Sequence, residues 1–134
     1  MTSEDFSQTL ASADAEQIAD WLGQFEDALK QYRTEHIIPP EDEALLKEAE
    51  QKVHFLSQQM YAVAVGLVIN DAQASIEKIK QGTEDAKTAV QTITDIKKVI
   101  AIAAGVIKIG VSIMSQDIGG IIGGLGQIVD AIAS

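Results

Sequence analysis

The chain's stock of metal-ligating and nucleophilic groups is small: two histidines, His36 and His54, and no cysteine. His54 follows Glu50 by one helical turn. Two ligands at that spacing make a poor metal site. The same spacing gives an ordinary solvated pair on a helix face, as expected here. His36 stands beside Pro39-Pro40 and reads as a cap on the end of a first helix. Glu41-Asp42-Glu43 lacks the ligand spacing of a calcium loop and reads as an acidic first helical turn. No glycine cluster leads into the Lys-Ser or Lys-Thr of a phosphate loop, and no nucleophile elbow is present. Tyr32 and Trp21 read as core or interface residues. No catalytic, cofactor-binding or metal site is expected, and the chain is expected not to be an enzyme.

Composition narrows the partners. The net charge of the 134 residues is −10. Such a chain repels nucleic acid, and it is repelled at long range by anionic membranes. The absence of cysteine excludes a disulfide framework. Met1-Thr2-Ser3-Glu4-Asp5-Phe6 lacks the basic region and apolar stretch of a Sec-type signal. The expected location is cytoplasmic, or outside the cell by a route without a Sec-type signal, with membrane association as a further expectation. The length suits one domain, residues 1–134, with a core of Ala, Val, Ile and Leu, since aromatics are only 4%.

Residues 1–11 read as a polar, flexible lead-in. Ser12 or Asp14 can cap a first helix, whose stripe is Ile18, Leu22, Phe25, Leu29 and Tyr32, with Trp21 at its flank. This helix should stop near His36, ahead of Pro39-Pro40. A second helix starts at Pro40. Leu46, Ala49, Val53, Leu56, Met60, Val63 and Leu67 form its coiled-coil-like heptad seam. The chain is apolar on nearly all sides from Tyr61 to Ile69. A second seam, Val65, Ile69, Ala72, Ile76 and Ile79, carries the helix on to a stop at Gly82. Thr83 then caps a third helix with the seam Ile93, Ile96, Ile100, Ala103, Ile107, Gly110 and Met114. Ser115-Gln116-Asp117 breaks it. A short fourth helix carries Ile118, Ile122, Leu125, Val129 and Ile132.

Val99 to Ser134 sets the functional question. It holds three charges, Lys108, Asp117 and Asp130, against 27 in the residues before it, and seven of the ten glycines. The run from Val99 to Ile113, interrupted by Lys108, is shorter than the roughly 20 apolar residues of a spanning helix. Gly119, Gly120, Gly123, Gly124 and Gly126 each cost a helix on the order of 1 kcal/mol relative to alanine. Close packing must compensate. Gly119/Gly123 and Gly120/Gly124 have the small-xxx-small spacing that allows it.

Two stretches together resemble the cytolysin A-like α-pore-forming toxins. Tyr32 through Ile38-Pro39-Pro40, the acidic start after it and the long helix through Ser57-Gln58-Gln59 are similar to their first helical hairpin. Ile100-Ala101-Ile102-Ala103-Ala104-Gly105-Val106-Ile107, with Gly119 to Gly124, resembles their membrane-entering tongue in composition. This chain is shorter, and its apolar segment comes last. The resemblance implies a helical bundle that hides an apolar segment, then inserts it and oligomerises.

The expectation is therefore an all-α antiparallel bundle of about four helices, with two long central helices and a Gly-rich apolar C-terminal helix. Its working surface would be Ile100, Ala103, Ile107, Gly110, Ile118, Gly119, Ile122, Gly123, Leu125 and Val129. Membrane lipid or another helical subunit, in a homo-oligomer or with a different protein, would meet that surface. In the alternative, an adaptor, immunity protein or structural subunit buries the same segment in its core or against a partner.

Overall fold

The computed structural model describes residues 6–63 and 66–134, with backbone alone at 61–63. Five α-helices occur among the described residues: α1 Ser12–Glu35, α2 Pro40–Val63, α3 Ile76–Thr92, α4 Ile96–Met114 and α5 Ile118–Ala133. Two short strands, β1 Gln8–Thr9 and β2 Val68–Ile69, pair antiparallel. A single-turn 3-10 helix covers Ala72–Ala74. The expected all-helical bundle is present, with five helices in place of about four.

The first hairpin follows the sequence pattern. Ala11 is the N-cap of α1, and its N–H donates to the Asp14 carboxylate (2.9 Å). Ile18, Leu22, Phe25, Leu29 and Tyr32 are all buried. At the other end, His36 Nδ1 donates to the Tyr32 carbonyl (2.9 Å), as expected of a C-terminal cap. Its ring stacks on Tyr32 with centroids 4.0 Å apart. Leu46, Ala49, Val53, Leu56 and Met60 bury the facing seam of α2. Ser57 donates to the Ala19 carbonyl (2.9 Å), and Arg33 meets Glu50 (2.8 Å), so α1 and α2 run antiparallel.

The second expected helix does not reach Gly82. Gly66 has φ +94°, which is not helical, and its N–H donates to the Leu10 carbonyl (2.8 Å). Leu10 N–H returns a bond to the Leu67 carbonyl (2.8 Å). Residues 66–69 thus bond to the lead-in, where Leu10 is fully buried. The seam positions Val63 and Val65, and the start of the all-round apolar stretch at Tyr61, lie outside the residues whose side chains are described. Ser75 then caps α3 by accepting from Lys78 N–H (3.2 Å). Gly82 lies inside α3, not at a helix end. Thr83 is not a cap either: it is buried, and its hydroxyl donates to the Ile79 carbonyl (2.8 Å).

The expected third helix is likewise divided. Ile93 closes α3, and Asp95 opens α4 by accepting from Lys97 N–H (3.0 Å). The two longest helices are therefore α1 and α2, at 24 residues each, and not a central pair. The break at Ser115-Gln116-Asp117 occurs as expected. Gln116 takes φ 59°, and Asp117 accepts from Gly120 N–H (3.0 Å).

The helices close a ring in the order α1, α2, α4, α5, α3 and back to α1. Not every neighbour is antiparallel. Lys97 pairs with Asp42 (3.0 Å) and Gly110 meets Leu56, so α2 and α4 run in the same direction. Leu10, Phe25, Leu46, Met60, Ile79, Ile102 and Ile121 fill the centre with no exposed surface.

Candidate functional site

The apolar C-terminal segment is a helical hairpin, α4 against α5, built at backbone distance. A Cβ added at Gly105 would lie 2.8 Å from Ile128 Cγ1 and 3.1 Å from the Gly124 carbonyl oxygen. One added at Gly124 would lie 2.7 Å from Ile109 Cγ1 and 2.9 Å from the Gly105 carbonyl oxygen. At Gly120 an added Cβ would overlap the Ser112 hydroxyl. The three glycines are buried, and they let the two helix backbones touch. That contact offsets the helix-propensity cost of glycine at these positions.

The packing pair is therefore Gly120/Gly124. Gly119 is exposed and Gly123 half-buried. An added Cβ at Gly123 would meet only the flexible end of Lys108, at 3.2 Å, and at Gly126 nothing. The apolar stripes are rotated relative to expectation. In α5 the covered side is Gly120, Ile121, Gly124, Ile128 and Ala131. Ile118, Ile122 and Leu125 are half-buried, and Val129 is 63% exposed. In α4, Ala103 and Gly110 are buried as read, but Ile100 and Ile107 are half-buried, and Val99, Ile102, Val106, Ile109 and Ile113 take the core. Nearly every residue of α4 is apolar, so spacing alone could not select the inward face.

Two grooves flank this hairpin. One runs between α2 and α4, with a volume of about 690 Å³ and Phe55, Leu56, Ile107, Val111 and Met114 along it. The other lies between α3 and α5, where Ile122, Leu125, Val129 and Ile132 face Gln81, Gly82 and Asp85. Leu125 packs directly over Gly82. Phe55, 59% exposed, was missed by sequence reasoning because it falls one position off the α2 seam at Leu56. An aromatic beside a seam residue, flanked by polar Gln51 and Lys52, was the available signal.

The polar candidates resolve into structural pairs. Glu50 and His54 are not a shared solvated pair. Glu50 is 5% exposed and takes a two-point contact from Arg33 Nε and Nη2 (2.8 and 3.0 Å). His54 Nδ1 instead approaches Glu26 on α1 (3.1 Å), which also binds Lys30 (2.9 Å). The contact with Glu50 raises the Arg33 pKa, and the contact with Glu26 raises that of Lys30. Asp42, in the acidic turn, is buried and holds Lys97. Tyr32 donates to the Thr94 carbonyl (2.8 Å). Burial, and then the charge of Asp95, push its phenol pKa above the ordinary value. Trp21 is half-buried against the core. Among the described residues no three His, Asp or Glu side chains gather in a metal-binding group. No helix of the described residues is long and apolar enough to cross a membrane. The sequence matches no family model, no curated protein and no solved structure.

Proposed function

We propose that this chain is a non-enzymatic helical interaction module. Its apolar C-terminal segment forms the α4–α5 side of its own bundle, and the outward side of that segment meets another helical subunit. One observation carries this reading: the glycine faces of α4 and α5 are spent on each other, while Val111 and Val129 stay more than half exposed. Apolar side chains on both flanks of one hairpin fit partner binding better than they fit a lone monomer. The test is the association state of the purified chain across a dilution series, alongside Val111→Glu and Val129→Glu proteins. At least one substitution should weaken association while helical circular dichroism stays unchanged. Unaltered association in both would contradict the reading.

A second reading keeps the likeness to pore-forming toxins. Its support is that residues 99–134 carry three charges and are already paired through glycines, a contact that also holds helices together in lipid. On that reading the hairpin leaves the ring as a unit, hinging at Ile93-Thr94-Asp95. Dye-loaded liposomes test it. Leakage or co-flotation would support insertion, and neither, across pH and lipid charge, would exclude it.

A further inference from the structure

The outer face of α2 has a reading-direction symmetry. Leu45, Glu48, Lys52 and Phe55 are spaced 3, 4 and 3, so they share one side of the helix. Leu45 lies three positions before Glu48, and Phe55 lies three positions after Lys52. The order apolar, acidic, basic, apolar is therefore self-complementary when a second α2 is laid antiparallel across it. Each Glu48 then meets a Lys52, and each Leu45 meets a Phe55. That is the pattern an isologous two-fold contact requires.

Both apolar members are available. Leu45 is 47% exposed and Phe55 59% exposed, although large apolar side chains are usually covered. Glu48 and Lys52 are each more than half exposed, and their mutual contact within the helix is loose at 3.7 Å. Such a pair exchanges partners at little cost. Phe55 borders the groove whose far wall is Ile107 and Val111 of α4. The centre of this face carries one charge of each sign, while the chain as a whole carries −10. Two copies can approach here without the repulsion that their other surfaces impose.

We propose that the α2–α4 face binds a second copy of this chain across a two-fold axis beside Glu48 and Lys52, with each Phe55 packed on Leu45 of its partner. This rests on the interaction-module reading and names the partner and the face.

The experiment is sedimentation equilibrium of the full chain and five variants, Val129→Glu among them. Wild type should dimerise reversibly. Phe55→Glu should raise the dimer dissociation constant by about tenfold or more, as expected for an aromatic anchor. Its circular dichroism should not change, because the side chain is exposed. Glu48→Lys and Lys52→Glu should each weaken the dimer, since like charges then face across the axis. The double variant Glu48→Lys/Lys52→Glu should restore it. A mixture of the two single variants should dimerise better than either alone, because one supplies two lysines and the other two glutamates. A wild-type monomer at every concentration would overturn the proposal. So would a dimer indifferent to Phe55→Glu. If that dimer is lost on Val129→Glu, the module reading survives and only this face is wrong. A monomer that empties liposomes would overturn both.

Discussion

Gly105 of α4 and Gly124 of α5 face each other with no side chain between them. The fit is reciprocal: a Cβ on either would lie about 3 Å from the carbonyl oxygen of the other (3.1 and 2.9 Å). Neither obstacle is a flexible group that could swing aside. Of the five glycines of α5, Gly120 and Gly124 are thus explained by the neighbouring helix.

Gly124→Ala should destabilise the protein by about 1–3 kcal/mol, because overpacking against backbone outweighs the gain in helix propensity. Gly126→Ala meets nothing within 4 Å and should stabilise it, by on the order of 1 kcal/mol. Urea unfolding of the two variants checks both signs. Equal effects would mean that the close crossing is absent.

Arg33→Met leaves the buried Glu50 carboxylate without its two-point partner. A loss of about 1–3 kcal/mol should follow, from the cost of an unsatisfied buried acceptor. Arg33→Met/Glu50→Leu should recover much of that loss, since apolar replacement of both partners removes the stranded charge. A double variant no more stable than the single one would contradict this.

Tyr32 sets an alkaline limit. Burial first, and Asp95 second, raise its pKa above the ordinary 10.0. The folded state therefore favours the neutral phenol. That contribution is complete below pH 10.0 and is lost as pH rises through the higher folded value. Tyrosinate absorbance should show one tyrosine titrating late, and Tyr32→Phe should remove that step. The variant should also lose about 1 kcal/mol near neutral pH, with the bond to the Thr94 carbonyl.

The sequence was informative where period and punctuation agreed. Ile18 to Tyr32 declared the inward side of α1 because polar residues fill the rest of that helix, and Pro39-Pro40 and Asp117 marked real boundaries. It misled where a local signal was overruled by a distant contact. Gly82 looks like a helix stop but lies beneath Leu125, and Gly66, past the described end of α2, bonds to Leu10, far away in sequence. The phase of α4 and α5 could not be read, since Ile and Val occur on all sides. Only the position of the facing backbone selects Gly120/Gly124 over Gly119/Gly123.

α5 is a fixed wall of this bundle, held to α4 through Gly105 and Gly124. Residue-resolved hydrogen exchange of the full chain, with and without lipid vesicles, is the decisive measurement. The amides from Ile121 to Ile128 should exchange only with global unfolding, and neutral or anionic vesicles should leave their protection unchanged. Rapid exchange of α5 in water, or protection that appears only when vesicles are added, would contradict it.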